Sequence, residues 1–180
     1  MKIILTILLS LLLTSCTVYG WSNDYKKLSR EQQNSIVTLQ SFENTNSQNI
    51  YKITGNPLKE ELKKHPKSLV YIFTNGCVSE YCLPMSNYER FAKDNNYKLF
   101  LVMNGYGQLE ETTKQRSQVF TEPLYAINNE AYNSNTRWKY SRYFENELRG
   151  IDRKSKPKWE GSLYFFNYDK LEKVMQDLPK

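Results

Sequence analysis

The fold is decided by residues 68–92, which read SLVYIFTNGCVSEYCLPMSNYERFA. The apolar run at 69–73 is short and rich in β-branched and aromatic residues, which is typical of a strand buried on both faces. After Pro84 the apolar residues recur at helical spacing. We therefore predict a strand, a loop that carries Cys77 and Cys82, and a helix over 84–95. The carboxyl ends of strands are where open α/β sheets place their chemistry, and a helix N-terminus favours a thiolate.

The first fifteen residues have the layout of a secretory signal. Lys2 precedes an apolar run at 3–13, and small residues follow. The run is too short to cross a bilayer as a helix. The sequence Leu13-Thr14-Ser15-Cys16 resembles the lipobox of bacterial lipoproteins. This resemblance implies that cleavage leaves Cys16 as the first residue, with diacylglycerol on its sulfur and a further acyl chain such as palmitate on its nitrogen.

Several acyl chains on Cys16 would hold the protein stably on a membrane. We therefore expect a protein of the bacterial cell envelope, lipid-anchored on the periplasmic side or in the outer membrane where the host has two membranes. The alternative is an ordinary signal peptide with a coincidental cysteine. After export, Cys77 and Cys82 are the remaining thiols, in a compartment where disulfides persist.

The length of 180 residues suits one hydrophobic core. We predict a signal peptide over 1–15, a lipid-anchored polar tether over 16–48 with one weak helix near 29–40, and a single domain over 49–180. The tether is rich in Ser, Asn, Gln and Lys, which is typical of a flexible spacer. We expect a monomer.

The positive charge of the chain is local. Residues 137–158 hold eight basic side chains against three acidic ones, a surplus of five, while the whole chain has a net charge of +6. This concentration argues against a nucleic-acid-binding surface spread over the protein. Tyr140, Tyr143, Phe144 and Leu148 share one face of a helix in this segment, which predicts that they cover the core.

Other chemistries lack candidate residues. His65 is the only histidine, and it precedes Pro66 at a predicted helix end. The sequence therefore offers no strong candidate for the histidine of a Cys-His or Ser-His catalytic pair. The sequence clusters no metal ligands around its cysteines, and it has no glycine-rich phosphate loop. We therefore predict neither a metal nor an organic cofactor.

Hydrophobic periodicity predicts the remaining elements of the domain. We predict strands at 49–54, 98–103, 123–128 and 161–167, and helices at 58–64, 109–120 and 169–178, with a helical insert over about 132–159 before the last strand. The fold class is α/β, with a central mixed sheet flanked by helices.

This order of elements resembles the thioredoxin fold over about 49–180. The resemblance depends on cysteines after a central strand, a helix directly after them, a proline-initiated strand about forty residues later, and a final strand-helix pair. It implies thiol-disulfide exchange through Cys77 and Cys82, with a protein thiol or disulfide as substrate. It also implies that Pro123 is the cis-proline that holds the substrate chain beside the cysteines.

The cysteine spacing departs from that family, which carries Cys-x-x-Cys. Four residues separate Cys77 from Cys82 here. A spacing of five advances a helix by about 500°, so both sulfurs cannot share its first turn. The pair must therefore be joined through loop geometry, and the insert at 132–159 is a second departure.

Two hypotheses follow for the function. In the first, the protein is an envelope thiol-disulfide oxidoreductase in which Cys77 attacks and Cys82 resolves the mixed disulfide. In the second, a structural disulfide fixes a redox-inactive domain, and the basic aromatic insert binds an acidic partner or anionic lipid headgroups.

Overall fold

The fold is built on one mixed sheet. A computed structural model describes residues 20–77, 82–116 and 119–179. In the described part the sheet has seven strands in the order β1-β2-β5-β4-β3-β6-β7. The first five strands in this order are mutually parallel, while β6 runs antiparallel to both of its neighbours. The strands are β1 (Ile36–Thr38), β2 (Ile50–Ile53), β3 (Lys67–Phe73), β4 (Lys98–Met103), β5 (Leu124–Ile127), β6 (Leu163–Asn167) and β7 (Lys170–Met175).

Helices cover both faces of this sheet. On one face, α3 and α4 enclose a first core with Leu69, Tyr71 and Phe73 of β3. On the other face, α2 and α5 enclose a second core with Val70 and Ile72. The predicted α/β class with a mixed, helix-flanked sheet is therefore confirmed. The helices are α1 (Arg30–Asn34), α2 (Gly55–Leu62), α3 (Met85–Asp94), α4 (Leu109–Gln115) and α5 (Arg137–Arg149), with 3-10 turns at Tyr25–Lys27 and Phe42–Asn44.

The unit formed by β3, α3 and β4 is the one that the sequence predicts best. β3 lies between β4 and β6 and is buried on both faces, as its continuous apolar run indicates. α3 buries Met85, Tyr88 and Ala92 against the first core. Pro84 is the residue before the helix rather than its first member.

The predicted closing helix at 169–178 is wrong, because this segment forms strand β7 in a hairpin with β6. Phe165 pairs with Lys173 and Phe166 pairs with Leu171, so the ladder contains a bulge. The bulge brings Leu171 and Val174 to the same face of the strand. Residues three apart therefore share a face, which is the periodicity that predicted a helix.

The predicted tether over 16–48 is wrong for the part that the structure describes. β1 pairs with β2 at the edge of the sheet, and Ile36 belongs to the first core. The weak helix expected near 29–40 is the single turn α1, capped by Ser29. Residues 20–28 also pack on the domain, where Asn23 O accepts a hydrogen bond from Tyr106 N at 2.7 Å.

The insert at 132–159 contains α5, whose Tyr140, Phe144 and Leu148 are buried in the second core. Tyr143 packs against the margin of that core, so these four residues cover the core as predicted. The predicted helix at 109–120 ends earlier, at Gln115. Within the described residues, no helix has the length and apolarity needed to span a bilayer.

Candidate active site

A disulfide joins Cys77 and Cys82 at the carboxyl end of β3, with their Cα atoms 5.9 Å apart. Cys77 is exposed and Cys82 is half-buried. Cys82 lies three residues before the first residue of α3, so the pair is joined outside the helix, as its spacing predicts. Residues 78–81 lie outside the described part.

The buried side chain of Asn75 fixes the strand end that carries Cys77. Its Nδ2 donates a hydrogen bond to Gly105 O at 2.8 Å, and its Oδ1 accepts one from Thr112 Oγ1 at 2.7 Å. Asn75 therefore ties the loop after β3 both to the loop after β4 and to helix α4. The Thr74 and Asn104 side chains add a second link between the same two loops, with Asn104 Nδ2 donating to Thr74 Oγ1 at 3.0 Å.

Gly76, directly before Cys77, has a left-handed backbone with φ of 63°. A Cβ at this position would overlap the side chain of Gln108. Glycine is therefore required here both by the backbone conformation and by the available space. This turn directs the chain from the buried end of β3 to the exposed Cys77.

Two hollows meet at the disulfide, and both cysteines line each of them. The smaller hollow, about 260 Å³, is bounded by the segment before β6, including Trp159, Gly161 and Ser162. The larger hollow, about 560 Å³, is bounded by apolar side chains that include Leu83, Met85 and Val119. An approaching polypeptide could therefore reach the disulfide from either side.

An aromatic pair forms part of the support for these hollows. The rings of Tyr71 on β3 and Tyr88 on α3 stack with centroids 4.0 Å apart. Burial raises the pKa of both hydroxyls, and the hydrogen bond between them raises the pKa of Tyr71 further. Both groups therefore stay neutral at physiological pH and contribute packing without charge.

Glu145 of α5 is the one acidic side chain among the described residues that line the smaller hollow. Burial raises the pKa of this carboxyl, while a hydrogen bond to Tyr164 and the charge of Arg149 lower it. Burial is the largest of these effects, so the net change is upward. The wall next to the disulfide thus contains a carboxyl that is easier to protonate than an exposed glutamate.

The structure does not bring Pro123 to the cysteines. Pro123 precedes β5, which is parallel to β3 through β4, so it lies at the amino edge of the sheet while Cys77 lies at the carboxyl edge. The Glu122–Pro123 peptide bond is trans. The segment before β6 lies beside the cysteines instead, because β6 runs antiparallel to β3.

The remaining predicted site residue, Cys16, lies outside the described part. Among the described residues, no group of three or more His, Cys, Asp or Glu side chains could hold a metal ion.

A cavity of about 400 Å³ next to the smaller hollow was not predicted. It shares Asn104, Glu145 and Trp159 with that hollow. Its lining includes all three tryptophans of the chain and four basic side chains: Trp21, Trp138, Trp159, Arg137, Arg142, Arg149 and Lys158. No spacing in the sequence links these residues. The one available signal was that none of the tryptophans fell on a predicted apolar face.

No family model, curated protein or solved structure matches this chain.

Proposed function

We propose that this protein is a membrane-anchored envelope lipoprotein that exchanges its Cys77–Cys82 disulfide with thiols and disulfides of other proteins. The observation that supports this function is an exposed disulfide at the carboxyl end of a central buried strand, open on both sides to hollows that could receive a polypeptide. Exposed disulfides are in general more easily reduced, whereas structural ones resist reduction. The lipid anchor follows from the lipobox resemblance at Cys16.

The exchange consists of two sulfur-to-sulfur displacements. In the reduced protein, the Cys77 thiolate attacks one sulfur of a client disulfide, which forms a mixed disulfide and releases the first client thiolate. The Cys82 thiolate then attacks Cys77 Sγ and releases the second client thiolate. Two electrons pass to the client, and the Cys77–Cys82 disulfide forms. In the opposite direction, a client dithiol reduces this disulfide by the same steps in reverse.

The geometry supports different roles for the two sulfurs in this proposal. Cys77 is the more exposed residue, so a client sulfur reaches it more easily. Cys82 precedes the N-terminus of the ten-residue helix α3, whose dipole favours a thiolate nearby. Cys82 is therefore suited to leave as a thiolate when Cys77 is attacked, and to resolve the mixed disulfide afterwards.

The first test is the reduction potential of the couple. The mature chain in detergent would be equilibrated against glutathione and dithiothreitol, and the two redox forms counted by mass spectrometry. A value between about −120 and −270 mV, the range of working thiol exchangers, supports exchange. A value below about −300 mV indicates a structural disulfide and contradicts the proposal.

The second test traps clients. A Cys82→Ala variant keeps Cys77 but lacks the resolving thiol, so mixed disulfides should accumulate in cells and disappear on reduction. The matched control, Cys77→Ala, should trap few or none because Cys82 is less accessible. Equal trapping by both variants would contradict the assigned roles, and no trapping by either would contradict exchange.

A further inference from the structure

The cavity beside the disulfide lies on an exposed aromatic surface, which we call the tryptophan face and define by Trp21, Trp138 and Trp159. Their side chains are 72%, 60% and 63% exposed, and they are all the tryptophans of the chain. Tryptophan is usually buried over most of its large surface. The convergence of three exposed tryptophans from distant parts of the sequence on one cavity indicates that another surface covers this face.

The polar groups of this cavity point to an anionic occupant. Among the described residues, its lining carries four basic side chains against one acidic one, Glu145, and of the four Arg149 also pairs with Glu160 at 2.6 Å. Ser141 is only 8% exposed, yet its Oγ has no hydrogen-bond partner among the described residues. The same holds for the buried Nε atoms of Arg142 and Arg149. Three unpartnered buried polar groups around one cavity can be satisfied by phosphate oxygens, which are strong acceptors for arginine.

The N-terminal segment enters the domain at this face. Trp21 O accepts a hydrogen bond from Arg137 N at 3.0 Å. Asn23 Nδ2 donates to Asn129 Oδ1 at 2.7 Å, which fixes the segment after β5 at the carboxyl edge. Cys16 precedes Gly20 by only four residues, which reach at most about 14 Å when fully extended. Acyl chains on Cys16 would therefore hold the tryptophan face close to the bilayer.

We infer that the tryptophan face docks on the membrane that holds the acyl chains of Cys16, with anionic phospholipid headgroups bound in its basic cavity. Tryptophan rings prefer the interface between headgroups and acyl chains, and basic side chains near anionic lipids add to the attraction. Because acyl chains on Cys16 would hold the tryptophan face close to a bilayer, we favour a bilayer over a protein as its occupant. This inference rests on the anchor in the proposed function and does not depend on thiol exchange.

The tryptophans themselves report on docking. The mature lipidated chain would be reconstituted into phosphatidylcholine vesicles with or without phosphatidylglycerol, and nitroxide lipids labelled near the headgroup or deep in the acyl region would serve as quenchers. We expect a blue-shifted emission and strong quenching by the headgroup label on anionic vesicles. Both effects should weaken at about 1 M salt, where the screening length falls to about 3 Å.

An added tryptophan provides the control for proximity. Tyr168→Trp adds a fourth tryptophan at the turn between β6 and β7, while the three native tryptophans stay in place. Tyr168 is 49% exposed, and its backbone N–H donates to Pro66 O at the amino edge, away from the tryptophan face. The emission that this variant adds to that of the wild type should not respond to the headgroup quencher. Equal quenching at both places would show that the domain lies against the bilayer without a preferred face, and would overturn the proposal.

Charge variants test the cavity. The double variant Arg142→Gln with Lys158→Gln removes two basic side chains from the cavity. Each of the two substitutions should lower the ratio of docked to undocked protein on anionic vesicles about fivefold. The matched control, Lys93→Gln with Lys170→Gln, removes two exposed charges elsewhere and should leave the ratio unchanged. Equal effects of the two double variants would mean that net charge alone drives binding, which would contradict a headgroup site.

Three further outcomes separate this inference from the proposed function. If the mass of the mature chain shows no acyl group on Cys16, both the anchor and the docking fail. If Cys16 is acylated but the tryptophans are not quenched on anionic vesicles, only the docking fails. If poly-glutamate shifts the emission while anionic vesicles do not, the occupant is an acidic protein and the membrane proposal is overturned.

Discussion

The two edges of the sheet differ in how far their polar groups are satisfied. At the carboxyl edge lie an exposed disulfide, three exposed tryptophans and several buried donors without partners among the described residues. At the amino edge one buried hydroxyl, Ser68 Oγ, also lacks a partner among the described residues, but the polar side chains around it are paired. Lys98 lies 3.1 Å from Glu122, and Glu89 accepts hydrogen bonds from both the backbone and the hydroxyl of Thr121.

This difference is the one expected if the carboxyl edge is the surface that meets other molecules, as we propose. A buried polar group without a partner in its own domain can be satisfied by water or by another molecule, whereas a group paired within the domain needs neither. Pro123, which the fold resemblance assigned to the site, lies at the amino edge. The loops that adjoin the cysteines, by contrast, all follow strand ends or precede β6 at the other edge.

The largest expected effect is on insulin-reductase activity, and it depends on which edge of the sheet carries the substitution. Cys77→Ser should reduce the insulin-reductase activity of the reduced protein to background, because the attacking sulfur is lost. Pro123→Ala should leave this activity at the wild-type level because Pro123 lies at the opposite edge. Initial rates with dithiothreitol as reductant measure both. A severe loss in Pro123→Ala with normal stability would contradict the contrast between the edges.

A smaller effect, on stability, is expected at Gly76. Gly76→Ala places a Cβ at φ of 63° and against the Gln108 side chain, so it should cost at least about 1–2 kcal/mol of unfolding free energy. In the neighbouring loop, Gly105→Ala meets its nearest atom, Arg137 Cδ, at an ordinary 3.4 Å. That variant should stay within about 0.5 kcal/mol of the wild type. Urea unfolding measures both, and equal losses would show that Gly76 is not under special constraint.

Tyr106 gives a pH-dependent test of the carboxyl edge. Burial raises the pKa of its hydroxyl, which has no hydrogen-bond partner among the described residues. Below the unfolded-state pKa of about 10 the hydroxyl is protonated in both states, so its contribution to stability is fully present. Above this pH the unfolded state loses the proton first, so that contribution is lost as the pH rises. Tyr106→Phe should therefore reduce the loss of stability in this range by up to about 1.4 kcal/mol per pH unit.

The same variant should be as stable as the wild type near pH 7, or up to about 1 kcal/mol more stable, because it removes an unsatisfied buried group. Urea unfolding at several values between about pH 7 and 11 measures both effects. An unchanged alkaline slope would show that the hydroxyl is solvated in the native protein.

The smallest effect is expected at the amino edge. Glu122→Gln removes the partner of Lys98 from a pair whose side chains are 26% and 40% exposed. Such pairs contribute little, so the free energy of unfolding should change by less than about 1 kcal/mol. A larger loss by urea unfolding would mean that this edge, too, depends on specific polar contacts.

The sequence predicts those parts of the fold whose patterns are local. The continuous apolar runs of β3 and β4 and the helical spacing after Pro84 are sufficient to predict β3, α3 and β4. They also predict the position of Cys77 at a strand end. The covering role of Tyr140, Phe144 and Leu148 follows from their shared helix face.

Other parts depend on tertiary contacts that no local pattern encodes. The bulge in β7 lets Leu171 and Val174 share a face at helical spacing, so periodicity alone gives the wrong element. Asn75 looks like an ordinary turn residue until the loop after β4 and helix α4 supply its partners. The tryptophan face likewise exists only because α5, the segment before β6 and the N-terminal segment meet at one edge.

The position of β5 has a consequence for the order of folding. The β3-α3-β4 unit is complete once residue 103 has been synthesised, since its strands pair with each other. β2, although it comes earlier in the chain, has β5 as its inner neighbour and pairs Ile50 with Leu124. The apolar strand β2 therefore lacks this neighbour until the later half of the chain arrives. Such long-range parallel pairing is intrinsically slow, so joining β1 and β2 to the rest of the sheet should be a late step in folding.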